Sequence, residues 1–188
     1  MSTAEVATHT PDDLLAMPDG GAYELVNGQL VERRMSEESS WVAGEVYGRL
    51  REIVRGSNLG WVFPEGTGYQ CFREDPGRVR KPDASFVRRD QLPDGPVGTG
   101  YTRVPPDLAV EVVSPHDLAY EVENKIEEWL AAGVRQVWLV MPPARTVTVY
   151  VPGVDPRRFR ADETLTSPEL FPGFECRVGD LFPVAAKP

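Results

Sequence analysis

The chain has 188 residues, 41% of them hydrophobic and 26% charged, which is enough for one domain with a real apolar core and excludes a disordered or low-complexity polypeptide. A formal net charge of −9 at pH 7 excludes general attraction to polyanions, so a nucleic-acid partner would need a local basic patch or cations held at the site. No apolar run is long enough to cross a bilayer, and the opening MSTAEVATHTPDD lacks a secretory pattern. Cys71 and Cys176 fall in no metal-type spacing, so a cytoplasmic protein with reduced thiols is expected.

A single domain is expected over residues 1–188, with 1–20 as an N-terminal extension. Within that extension PDDLLAMP predicts a short helical turn, with Leu14, Leu15 and Met17 tucked against the body. AYELVNGQLVERR reads as a β-hairpin, because Tyr23, Leu25, Leu30 and Val31 flank an Asn27-Gly28 turn. Ser36–Ser40 then offers cap residues for an amphipathic helix in which Val42, Val46, Leu50, Ile53 and Val54 recur at helical spacing until Gly56. Glu45 lies at the edge of its packed face, solvated or reaching a site.

GWVFPEGTGYQCF predicts two short strand pieces broken at 65–68, whose glycines match neither a Walker loop nor a dinucleotide fingerprint. Arg73, Arg78, Arg80, Lys81, Arg88, Arg89 and Arg103 then concentrate in the middle of the chain. They form either an ordinary solvated loop or a phosphate-contacting patch. Pro82-Asp83 opens a strand that carries Phe86 and Val87, and a Gly/Pro-rich surface loop follows.

LAVEVV is a continuous apolar run of the kind buried on both faces, interrupted only by Glu111. Ser114-Pro115-His116-Asp117 suits a helix opening with Ser114 as cap, and the helix closes at Ala132-Gly133. Leu118, Val122 and Trp129 define its packed stripe; Lys125 falls inside that stripe and Glu121 at its edge. Gln136–Met141 completes a βαβ unit with parallel, right-handed pairing, and Thr146–Val151 follows as an antiparallel neighbour. Residues 152–188 are expected to form a C-terminal cover without chemistry of its own.

Glu111 and Lys125 at core-facing positions read either as a structural ion pair or as part of a site. Buried pairs roughly break even in stability, whereas perturbed charges cluster where chemistry happens. With Asp83 added, two carboxylates and a lysine suit metal-dependent phosphodiester hydrolysis. The carboxylates would hold Mg²⁺, a hard cation that prefers oxygen ligands and keeps several waters, with Mn²⁺ as a substitute. The lysine would orient or deprotonate the attacking water and stabilise developing negative charge.

Pro82-Asp83, then Glu111, then a lysine resembles the PD-(D/E)XK, or restriction endonuclease-like, superfamily. More closely, RKPDASFV, PPDLAVEVVSP and K-x-x-x-W-L-x-A-G-V-x-x-V-W-L-V resemble the bacterial Uma family, described as putative endonucleases, from about Tyr23 to Phe182. The resemblance implies an α/β core with a mixed central sheet flanked by helices and an N-terminal β-hairpin. It carries Asp83 and Glu111 over as metal ligands with the Val112 carbonyl as a third, and Lys125 as the catalytic lysine. Glu24, Gln70 and Glu121 follow as secondary candidates, Glu121 also as a salt-bridge partner that tunes Lys125. The chain departs from the superfamily at Val113, where its lysine would stand, and from many relatives in lacking a histidine early in the helix after Ser40, which leaves Glu45 as a substitute. His116 is expected in solvent. These features imply a Mg²⁺-dependent DNA endonuclease, expected as a homodimer. The alternatives are a non-catalytic homodimeric interaction protein that keeps the core and, third, a small-molecule phosphodiesterase.

Overall fold

The computed structural model describes residues 8–184, so the ends of the expected extension and cover lie outside the described residues. Helix α1 (Pro11–Ala16) opens on a reciprocal cap. The Thr10 hydroxyl accepts from the Asp13 amide while the Asp13 carboxylate accepts from the Thr10 amide. Leu14 is buried, but Leu15 is 50% exposed, because a helix this short packs only one side against the body. Strands β1 (Tyr23–Val26) and β2 (Gln29–Glu32) pair as the expected hairpin. Asn27 (φ 50°) and Gly28 (φ 74°) both take the left-handed conformation that a two-residue hairpin turn demands. The hairpin stands apart from the main sheet and is bridged to the segment just before Pro82 at Leu25 and Val79, whose amides and carbonyls bond reciprocally at 2.9 and 2.8 Å.

Helix α2 (Glu37–Arg55) is capped by Ser36 and buries Val42, Val46, Leu50 and Val54 along one stripe. The central sheet holds six strands in the order β3 (Gly60–Pro64), β4 (Ala84–Arg88), β5 (Leu108–Val112), β6 (Gln136–Met141), β7 (Thr146–Val151) and β8 (Val154–Phe159). Only β5 and β6 run parallel, joined by α3 (Ala119–Ala131); every other pair is antiparallel. This is the mixed α/β architecture with an N-terminal hairpin that the sequence predicts. Among the described residues no helix is long and apolar enough to cross a membrane.

Several details differ from expectation, each for a local reason. The piece around Tyr69 makes only isolated bridges, to Arg80 and Thr102, and forms no regular strand. Ser114 does not cap α3, because its hydroxyl is already taken by the start of α2: it accepts from the Ser36 amide at 3.1 Å and bonds the Ser39 hydroxyl at 2.9 Å. Residues 114–117 instead close a turn, in which the Asp117 carboxylate accepts from the Ser114 amide at 2.7 Å. Leu118 becomes the helix N-cap and is 50% exposed, leaving Val122, Lys125, Ile126 and Trp129 to face inward. The segment 152–188 is more than a cover, since it begins with the sixth strand of the sheet, β8. Only the part carrying β9 (Thr164–Thr166) and β10 (Glu175–Arg177) caps the core.

Alternate strand residues face opposite ways. Ala84, Phe86, Val110, Val112 and Trp138 pack with α2 and the C-terminal segment. Val87, Ala109 and Val137 pack with α3, and this second face carries the charged groups.

Candidate functional site

Asp83 and Glu111 meet because of strand register. The Asp83 amide donates to the Val110 carbonyl at 2.9 Å, which extends the Ala84–Val110 pairing by one step and sets Asp83 opposite Glu111. Both are buried on the α3 face, at 5% and 6% exposure, and each carboxylate is satisfied by donors. Asp83 Oδ2 accepts the Val112 amide at 2.7 Å, and Oδ1 lies 3.0 Å from Arg33 Nη2. Glu111 Oε1 accepts the Trp129 indole N–H at 2.7 Å, and Oε2 lies 3.5 Å from Lys125 Nζ.

Burial, and next the charge of Glu111, raises the Asp83 carboxyl to about 7 despite the Val112 amide and Arg33. Burial also lifts Glu111 above the usual carboxylate range, against the pull of Lys125. The two carboxylates therefore share a buried place in which the charged form of each is disfavoured despite the cations beside them.

Lys125 reaches the same point from α3, with a quarter (26%) of its side chain exposed. Its Nζ stands 3.3 Å from Glu24 Oε2 as well as near Glu111. Burial would draw the lysine down, but Glu111 and Glu24 outweigh it and hold it above its ordinary value, so it is an ammonium. Glu24 is only 1% exposed. Its Oε1 accepts the Lys81 amide at 2.8 Å and its Oε2 accepts Arg80 Nη1 at 2.8 Å. Burial pushes the Glu24 carboxyl up, yet Lys125 and Arg80 reverse this and hold it at about 2. Arg80 continues to Glu128 at 2.7 Å, and Glu128 to Arg78 at 3.0 Å. A line of alternating charge thus ties the hairpin to α3 and fixes the lysine.

These groups open on a cavity of about 290 Å³ between the hairpin, the end of β5 and α3. It gathers Asp83, Glu111, Val112, Lys125 and Glu24 from the expected set. Glu121 stands exposed at its rim and accepts from the Tyr120 hydroxyl at 3.2 Å; Lys125 pairs with Glu24 and Glu111 instead of with it. Gln70 is not at the site: its Nε2 donates to the Pro76 carbonyl at 2.7 Å, outside the cavity lining. Glu45 is half-buried on α2, on the other side of the sheet, and also lies outside the lining. His116 is exposed and outside it too.

The structure adds groups that sequence reasoning missed. Arg33 bridges Asp83 and Glu65, Trp129 anchors Glu111, and Arg80 with Glu128 buttresses Glu24. The basic cluster is no free patch: Arg78 and Arg80 are ion-paired, Arg88 pairs with Asp107 at 3.0 Å, and Arg89 lies over the Trp61 ring. Buried Lys81 donates to the Gly20 carbonyl at 2.5 Å.

A family model, Uma2, described as "Putative restriction endonuclease", matches residues 11–179. No curated protein matches the sequence. Among solved structures, the crystal structure of a putative nuclease belonging to DUF820 from Anabaena variabilis superposes with a TM-score of 0.79. The two sequences are 23% identical, and the match covers 92% of this chain and 97% of that one. At that identity the likeness is one of fold.

Proposed function

The chain belongs to the Uma2 family of putative restriction endonucleases, and from that premise we propose that it is a Mg²⁺-dependent nuclease that hydrolyses DNA phosphodiester bonds at Asp83, Glu111 and Lys125. The observation that carries the reading is the meeting of two buried carboxylates from adjacent strands with a lysine held charged in one cavity.

The residues fit a hard divalent cation. Among the described residues no three His, Cys, Asp or Glu side chains converge as a ready cage, so the ion would be held by the two carboxylates, with the Val112 carbonyl as a third oxygen. Mg²⁺ is commonly held by one or two carboxylates and keeps its remaining waters; Mn²⁺ would substitute. Burial first and the charge of Glu111 second raise the Asp83 carboxyl, and such an ion would draw it back down. When bound, the metal supplies an acidified water and neutralises charge on the scissile phosphate.

The protein's own groups do the rest. Lys125 stays protonated beside Glu24 and Glu111, so its role is to stabilise negative charge on the phosphate, not to abstract a proton. Glu24 positions that ammonium, and Trp129 fixes the orientation of Glu111. The test is cleavage of plasmid and single-stranded DNA with Mg²⁺ or Mn²⁺. Asp83→Ala, Glu111→Ala and Lys125→Ala should each lose on the order of 100-fold or more. If wild type and all three behave alike across substrates and metals, the proposal fails.

A second reading, a non-catalytic homodimeric interaction protein on the same core, draws on the net charge of −9 and on the pairing of the basic cluster. It predicts a dimer in sedimentation and no calorimetric metal binding.

A further inference from the structure

Arg33 touches the same carboxylate that the metal would use. It follows directly after β2, where its amide donates to the Ala22 carbonyl at 2.8 Å, and its side chain is only 9% exposed. The guanidinium divides itself between two acids: Nη2 lies 3.0 Å from Asp83 Oδ1, and Nη1 lies 3.1 Å from Glu65 Oε1. It makes no two-pronged clasp on either one, which is how arginine binds a carboxylate most firmly. Asp83 Oδ2 is already committed to the Val112 amide, a backbone group held in the sheet. Oδ1 is therefore the oxygen open to a cation, and Arg33 is on it.

Lys125 and Arg33 differ in what holds them. Lys125 is held by two buried acids, whereas the second partner of Arg33, Glu65, is 35% exposed next to Gly66, which has φ 89°. A dication and a guanidinium on one carboxylate repel strongly where little water screens them. Glu65 offers a receiver for the displaced group.

We infer that Arg33 is the resident counter-cation of Asp83: a divalent metal binds there only by driving the guanidinium across to Glu65, and Arg33 thereby sets the metal affinity of the site. This rests on the metal-site reading above. The test is calorimetric titration of Mn²⁺ and Mg²⁺ into wild type, Arg33→Gln, Glu65→Gln and the double variant, with thermal unfolding to confirm that each is folded. Arg33→Gln should bind on the order of tenfold more tightly. Glu65→Gln, which removes the receiver, should bind several-fold more weakly, and the double variant should match Arg33→Gln because Glu65 acts through Arg33. Arg34→Gln, which removes an equal charge from a side chain 63% exposed and paired with Glu32, should change affinity by less than about twofold. Unchanged or weaker binding in Arg33→Gln overturns the inference, as does a double variant that follows Glu65→Gln, or no binding in any form. Cleavage is read separately. Wild-type cleavage with the wrong calorimetric order sinks only the role of Arg33, and the expected order without cleavage sinks only the nuclease reading.

Discussion

The two faces of the central sheet are made by alternate residues of the same strands, and each holds an apolar cluster, yet only the face toward α3 also gathers the buried carboxylates of the cavity. Toward α2, Ala84, Phe86, Val110 and Trp138 meet Phe171 and Phe174 in a mainly apolar cluster, with Phe86 and Phe171 ring centroids 4.7 Å apart. Toward α3, one residue along, stand Asp83, Ser85 and Glu111, each joined to a polar partner. Apolar burial stabilises in proportion to area, whereas buried ion pairs roughly cancel their desolvation cost. The apolar clusters of both faces, the larger of them toward α2, therefore supply the stability that lets the α3 face keep charges a core would otherwise exclude.

The largest effect that tests this division is Phe171→Ala. Phe171 is fully buried between Phe86 and Trp138, so its loss should cost about 3–5 kcal/mol in urea unfolding. Metal affinity measured below the transition should not move. A shift in affinity comparable to that of a site variant would show that the two faces are not separable.

Glu24→Gln tests the charged face for its structural share. Removing one member of a buried ionic network should cost about 3 kcal/mol at pH 7, because Lys125 and Arg80 both lose their common partner. Its pH signature follows from the sign of the shift. The folded carboxyl, at about 2, lies below its ordinary value of 4.5, so its contribution is complete above pH 4.5 and is lost as pH falls toward 2. The gap between wild type and variant should close over that window in denaturant titrations. A gap independent of pH would mean that the network does not hold Glu24 as drawn.

Asp83→Asn is expected to be smaller and opposite in sign. Here the folded carboxyl is raised, from 3.8 to about 7, so the folded protein binds the proton more tightly than the unfolded chain does. Wild-type stability is then full below pH 4 and declines as pH rises toward 7. The neutral asparagine should abolish that decline and, in chelator at pH 8, stabilise the protein by about 1–2 kcal/mol, part of the gain being lost with the Arg33 ion pair. Metal binding should disappear in the same variant. A destabilised Asp83→Asn at pH 8 would place Asp83 among ordinary structural ion pairs.

What the sequence made legible was local. The Asn27-Gly28 turn, the α2 stripe, the buried β5 run with its lone glutamate and the β5–α3–β6 unit all follow from periodicity and turn chemistry, and the last two bring Glu111 and Lys125 together, while Asp83 joins them through the β4–β5 register. What was illegible were the partners. Nothing in the run Glu32-Arg33-Arg34 marks the middle residue as the one that reaches across 50 positions to Asp83. The basic cluster could not reveal that Glu24, Asp107 and Glu128 would neutralise much of it. β8 escaped because VDPRRF has no alternation, and a proline and two arginines are tolerable on an outermost strand whose outer face meets water. The helix start was misplaced because Ser114 serves α2, a contact 78 residues away.

The smallest expected effect is also the sharpest check on the boundary between the faces. Glu45 has a carboxylate on a helix that packs against the same sheet, and sequence spacing made it a candidate for the site. It lies on α2, half-buried, where its charge acts on Cys176 of the apolar side. Among the described residues Glu45 makes no side-chain hydrogen bond or ion pair that neutralising it would break, so Glu45→Gln should change stability by less than about 0.5 kcal/mol. DNA cleavage and the calorimetric affinity for Mn²⁺ should both equal those of wild type, since a charge across a six-stranded sheet has no route to the cavity except through the strands themselves. Cleavage lost in Glu45→Gln with stability intact would put α2 in the site. The alternation of side chains along β4 and β5 would then no longer separate structure from chemistry in this protein.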